Sequence, residues 1–165
     1  MNTFAVRRIR GSDVDDFREI RLEALRLHPD AFGASFADES QKPQEFFAER
    51  LQSNAVFGGV DRQNRLQGII GISVNTAPKL CHVATLWGMY VRADMRGTGL
   101  SLALLRAALL EAGAGMIVKL SVVATNPSAQ RLYRSVGFTP WATDRRALCI
   151  DGVFHDALLM RRDPH

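Results

Sequence analysis

The sequence predicts an α/β protein with a mixed central sheet flanked by about four helices, in the order β-α-α-β-β-β-α-β-α-β-β. Three observations carry this prediction. Residues 82–91 and 116–123 are apolar runs rich in β-branched residues, and the strongly apolar helical stretch 99–112 lies between them. A strand, crossover helix and strand require a parallel pair. Near the C-terminus, two alternating stretches meet at Asp151-Gly152, the strongest short hairpin signal in the chain.

The remaining elements follow in order. Residues 4–10 alternate Phe4, Val6 and Arg8 against Ala5, Arg7 and Ile9, as a short strand does. Ser12 is placed to cap a helix with Asp13, Asp15 and Asp16 in its first turn. Val14, Phe17, Ile20, Ala24 and Leu27 recur there at helical spacing, and His28-Pro29 stops the run. Residues 31–40 read as a loop with unusual aromatic content, and a short helix after Pro43 carries Phe46, Phe47 and Leu51. Residues 56–60 and 66–74 form a strand pair joined by the polar turn 61–65. Asn126-Pro127 starts a helix that runs to about residue 135, with Gly137 as its stop, and strands at 141–150 and 153–161 close the chain.

Composition narrows the function classes. At 165 residues with 47% apolar content the chain suits one domain over residues 1–165. No run approaches the roughly 18 apolar residues of a membrane span, and residues 1–10 interleave arginines with apolar residues instead of offering a signal-peptide block, so a soluble cytoplasmic protein is expected. Cys81 and Cys149 have no partners at metal-ligand spacing, which predicts neither disulfide nor metal. Of 21 basic residues only Lys42, Lys79 and Lys119 are lysines, a bias that suits a phosphate-rich ligand. The arginines are scattered with no basic run interleaved with aromatics, which argues against nucleic acid.

At the end of the strand at 82–91, the sequence Arg96-Gly97-Thr98-Gly99-Leu100-Ser101 opens the apolar helix. Strand, small-residue loop and helix start together make an anion cradle. The glycines permit close approach, amides at the helix start point at the anion, and Arg96 adds a charge-assisted clamp. A P-loop is excluded because no lysine follows the glycines, and a dinucleotide fingerprint is excluded because Leu102 stands where a third glycine is needed.

A second motif follows the next strand: Asn126, Ala129, Leu132, Tyr133, Gly137 and Phe138 match N-x-x-A-x-x-L-Y-x-x-x-G-F in full. With the loop, which fits [QR]-x-x-G-x-[GA] except for Ser101 at its last position, the chain resembles the GNAT acetyltransferase superfamily. Leu86-Trp87-Gly88-Met89-Tyr90-Val91 and the order of elements extend the resemblance along nearly the whole chain. Residues 21–35 look like one branch of that superfamily, which does not fix a substrate.

The resemblance implies an acetyl-CoA cosubstrate. The strand at 82–91 would splay from its parallel neighbour with a bulge at Gly88, and the pantetheine arm would pair with the backbone around Met89, Tyr90 and Val91. The pyrophosphate would lie on the amides of Arg96, Gly97, Thr98, Gly99, Leu100 and Ser101. Asn126 would hydrogen-bond the pantetheine arm beside Ala129, and Tyr133 would stand at the thioester sulfur as general acid or thiolate stabiliser. The reaction would be direct attack of a neutral amine on the acetyl carbonyl, polarised by the Met89 backbone amide.

An alkylammonium with pKa near 10.4 is only about one part in a thousand neutral at pH 7, a cost of roughly 4 to 5 kcal/mol, so a base is worth seeking. Many relatives carry a glutamate on the strand ahead of the loop, where this chain has Ala84-Thr85-Leu86-Trp87. The candidates are His82, Glu23 and His155, with a water chain or an acceptor of lower pKa as substitutes. A small-molecule amine is the expected acceptor. A protein or peptide amine is the alternative, and a non-catalytic acyl-CoA sensor is another. Phe32, Phe36, Phe46 and Phe47 suggest either an apolar acceptor wall or the core of a lid. Homodimers are common among such proteins, which leaves a homodimer through the closing hairpin open.

Overall fold

The computed structural model describes residues 3–164; Met1, Asn2 and His165, the ends of the expected 1–165 domain, lie outside the described residues. The elements are β1 (Ala5–Arg8), α1 (Val14–Leu27), α2 (Phe36–Glu39), α3 (Gln44–Ser53), β2 (Ala55–Val60), β3 (Leu66–Val74), β4 (Val83–Val91), α4 (Leu100–Ala112), β5 (Ile117–Val123), α5 (Pro127–Ser135), β6 (Thr139–Ile150) and β7 (Val153–Arg162). The seven strands form one mixed sheet in the order β1-β2-β3-β4-β5-β7-β6.

Two differences from the sequence expectation have clear local causes. The 31–40 loop contains α2, because the Ser35 hydroxyl accepts the Asp38 amide at 3.1 Å and caps a helical turn. At the start of α1 the N-cap residue is Asp13 instead of Ser12, and its side chain makes no bond to the helix amides. Its carboxylate accepts the Arg10 amide at 2.9 Å and is clamped by both Arg7 Nη atoms at 2.8 and 3.0 Å. The carboxylate is spent on these charge-assisted bonds ahead of the helix, which fix the entry of the chain into α1.

Apolar periodicity decides which face each helix covers. Phe17, Ile20 and Ala24 of α1 pack with Phe47 and Leu51 of α3 against Val56 and Ile69 on one face of the sheet. Leu100, Leu104, Leu105 and Ala108 of α4 pack with Tyr133 of α5 and Phe138 against Leu86, Val118 and Leu120 on the other. Full burial of each Phe, Leu, Ile or Val among them stabilises the fold by about 1.5 to 3 kcal/mol. Arg21 sits in the apolar stripe of α1, only 4% exposed.

The site is positioned by the centre of the sheet. Parallel pairing of β4 with β5 runs through Val83, Ala84 and Thr85 opposite Ile117, Val118 and Lys119, and goes no further. From Leu86 to Val91, β4 is bonded only to β3, and its other edge opens as a wedge. The β3–β4 register slips between Ile69 and Gly71, at the level where Gly88 takes φ +65°. The expected bulge is present, and it turns the strand away from β5.

Candidate active site

A cleft of about 500 Å³ occupies the wedge. Its floor is the unpaired edge of β4 at Met89, Tyr90 and Val91, and its near end is formed by Arg96, Gly97 and Ser101. One wall is α5, through Asn126, Ser128, Ala129, Leu132 and Tyr133; the other is the segment after α1, through His28, Ala31 and Phe32.

The loop at the near end has the backbone an anion needs. Gly97 and Gly99 adopt φ +75° and +90°, where a side chain is strained, and a Cβ at either would meet nothing within 4 Å. The backbone there is open to a ligand. Ala103 makes the first helical bond of α4, to the Gly99 carbonyl, so the amides before it have no helical acceptor. Leu100 is a buried core residue and can offer only its amide, while the Thr98 hydroxyl donates to the Met95 carbonyl at 2.6 Å.

Arg96 lies back over the strand end. Its Nε donates to the Val91 carbonyl at 3.3 Å, and its Nη2 is 3.2 Å from Nε2 of His28. That second contact is a hydrogen bond when His28 Nε2 is unprotonated and accepts. The His28 ring also packs against Tyr90, centroids 5.7 Å apart.

On α5, Asn126 Oδ1 accepts the Ala129 amide at 3.1 Å as the helix cap, which leaves the Asn126 NH2 group free to donate into the cleft. Tyr133 is 8% exposed and stacks edge-on with Phe138 at 5.9 Å. Burial pushes its phenol up to about 12. Tyr90 is also raised to about 12, by burial and by donating to Glu23 at 2.8 Å.

The expected bases are elsewhere. His82 precedes β4 at the end remote from the wedge, about 20 Å along the strand from Met89 at ordinary strand rise. His155 is in the closing hairpin opposite Leu148. Glu23 accepts from the Tyr90 hydroxyl and is ion-paired to Arg92 at 2.8 Å. None of the three lines the cleft. Sequence reasoning missed His28, whose only signal was its place at a helix stop. Of Phe32, Phe36, Phe46 and Phe47, Phe32 reaches the cleft, Phe46 and Phe47 point from α3 into the core it shares with α1, and Phe36 is exposed.

A model of the acetyltransferase (GNAT) family matches residues 15–138, which contain the wedge, the loop and α5. The chain belongs to this family. It is therefore an acetyltransferase, of the acyltransferase class. Solved structures share its fold along nearly their whole length. An acetyltransferase of the GNAT family from Streptococcus pneumoniae is 21% identical, with 96% of this chain and 98% of that one covered at a TM-score of 0.85. A ribosomal-protein-alanine N-acetyltransferase from Brucella melitensis is 20% identical over 96% and 99%, TM-score 0.79. A phosphinothricin acetyltransferase from Sinorhizobium meliloti, solved in complex with acetyl-CoA, is 18% identical over 97% and 88%, TM-score 0.78. No curated protein matches the chain at a significant level. Among the described residues no helix is long and apolar enough to cross a membrane.

Proposed function

We propose that this acetyltransferase moves acetyl from acetyl-CoA directly to the primary amine of a small-molecule acceptor, as a cytoplasmic enzyme without a metal. The observation that carries the proposal is the wedge itself: an unpaired β4 edge, a loop of open amides and the Asn126–Tyr133 face of α5 surround one cleft. The amides of residues 96–101 would take the pyrophosphate, the Met89 to Val91 edge and the Asn126 NH2 group would take the pantetheine arm, and the Arg96 guanidinium would exchange the Val91 carbonyl for phosphate.

The amine nitrogen bonds to the acetyl carbon as the carbon–sulfur bond breaks, and the amine proton ends on the thiol. The Met89 amide donates to the carbonyl oxygen as charge develops there. Against a thiol near 8.5, a phenol near 12 is the weaker acid by about 3.5 pH units, on the order of 5 kcal/mol. Tyr133 accordingly acts by donating a hydrogen bond to the leaving sulfur while it keeps its proton. Once Arg96 turns to the phosphate and releases His28 Nε2, that imidazole in the cleft wall, with cleft water, is able to accept the amine proton and pass it on to the thiolate.

Calorimetric titration with acetyl-CoA tests the site. Micromolar binding by the wild type and a loss of about 100-fold or more in Arg96→Ala, Gly99→Val is expected. Thiol release with small amines then tests transfer. Absence of acetyl-CoA binding by folded wild type would overturn the assignment.

A further inference from the structure

Beside the wedge, on the sheet face covered by α1 and α3, lies a charged cluster that the transfer chemistry does not use. Arg21 makes a bidentate pair with Glu39, both bonds 3.0 Å, and Arg50 approaches the same carboxylate at 3.4 Å. Two guanidinium charges thus share one carboxylate, and among the described residues no other carboxylate pairs with either arginine. Arg21 and Glu39 are 4% and 1% exposed, so one positive charge is left over in a poorly solvated setting. Desolvation pulls the Arg50 guanidinium below its ordinary value.

The excess charge has a solvent-facing end, set behind the cleft wall, since neither Arg50 nor Trp87 lines the cleft itself. The Arg50 side chain is 30% exposed, and its guanidinium lies over the rings of Phe46 and Trp87, 4.9 and 5.3 Å from their centroids. Its remaining donors form a fork suited to a carboxylate. Trp87 belongs to the part of β4 that β5 has left, two residues before Met89, and its buried indole Nε1 has no hydrogen-bond partner. Arg21 completes the link. It stacks on Trp87 at 5.9 Å and on Phe32 at 5.5 Å, and Phe32 lines the cleft.

We propose that Arg50, stacked on Trp87 and backed by Arg21 and Glu39, binds a carboxylate of the acceptor, so that the substrate is an amino acid in the broad sense. This rests on the acetyl-transfer reading of the cleft. Two residues of strand place Trp87 roughly 7 Å from Met89, and the guanidinium stands beyond the ring, so amine and carboxylate are separated by several bonds. An ω-amino acid or a side-chain carboxylate meets that spacing, and glycine does not.

The test is thiol release with ω-amino acids from glycine to 6-aminohexanoate, each beside its carboxamide, in wild type, Arg50→Gln and Arg50→Lys. The proposal expects the longer acids to exceed their amides at least tenfold in kcat/KM, mainly through KM. The ratio should fall to near unity in Arg50→Gln and be partly regained in Arg50→Lys. Trp87 fluorescence in a Trp141→Phe background, titrated with the N-acetylated acids and amides in the presence of CoA, gives a readout independent of turnover. It should change saturably with the acids alone. Acids and amides behaving alike in both assays, with acetyl-CoA binding intact, overturns the proposal and spares the cofactor site; loss of acetyl-CoA binding in the wild type removes the reading beneath it.

Discussion

The two walls of the cleft are built by different means. The wall that carries the loop after β4 uses backbone: the open amides of residues 96–101, the unpaired edge of β4 and the cap of α5. Behind the opposite wall, long side chains from separate elements meet in a cluster that does not itself line the cleft. Arg21 comes from α1, Glu39 from α2, Arg50 from α3 and Trp87 from β4. A backbone site needs glycines and a capping residue at fixed spacing within one stretch of chain, and it leaves a motif. A side-chain cluster needs only that four distant residues meet after folding, and it leaves none.

The largest effect that probes this contrast is on stability. Glu39→Gln leaves two buried or half-buried arginines without their carboxylate, and should cost about 3 to 5 kcal/mol, read as a fall in denaturation midpoint. A loss under 1 kcal/mol would mean that the cluster is well solvated and that the two walls do not differ in this way.

Tyr133→Phe comes next and acts on rate. Loss of a hydrogen bond to the leaving sulfur should lower kcat by about 100-fold, with a much smaller change in acetyl-CoA affinity. The phenol near 12 fixes the pH behaviour as well. Tyr133 stays protonated up to about pH 11, so in both proteins activity should rise with pH as the acceptor amine loses its proton, with the same midpoint. A wild-type alkaline limb that disappears in Tyr133→Phe would instead assign proton transfer to the phenol.

The same contrast explains what was legible in the sequence. Strand and helix order and the hairpin at Asp151-Gly152, with φ +49° and +79°, follow from periodicity and turn chemistry, while the Gly88 bulge follows from the family resemblance. The loop and α5 motifs converge on one cleft because each lies at the end of a strand next to the wedge. Residue type alone points to His82, Glu23 and His155 as bases, but only the fold decides which side chains reach the cleft, and none of the three lines it. Arg21 did leave a trace. It occupies the stripe of Phe17, Ile20 and Ala24, and a charge on the buried face of a helix implies a buried partner. Nothing in the spacing says that the partner is Glu39, carried on a four-residue helix inside an apparent loop.

The smallest predicted effect separates burial from charge pairing as the source of these energies. The Arg7–Asp13 pair is bidentate like Arg21–Glu39, through Nη1 and Nη2 where Arg21 uses Nε and Nη2, but Arg7 is 35% exposed and Asp13 13%. Asp13→Asn should therefore cost only about 1 kcal/mol at pH 7, well below Glu39→Gln. The hydrogen bond from Arg7, with that from the Arg10 amide, holds the Asp13 carboxyl below its ordinary value. A carboxyl depressed in the folded state contributes stability above its unfolded pKa of about 3.9, and that contribution is lost as pH falls through the lower folded value. The wild type and Asp13→Asn should thus differ by a constant amount from pH 7 down to about pH 5 and converge below about pH 4. If Asp13→Asn matches Glu39→Gln in cost, pair geometry and not burial sets the energy of both, and the excess charge at Arg50 loses the poorly solvated setting that makes it a binding group.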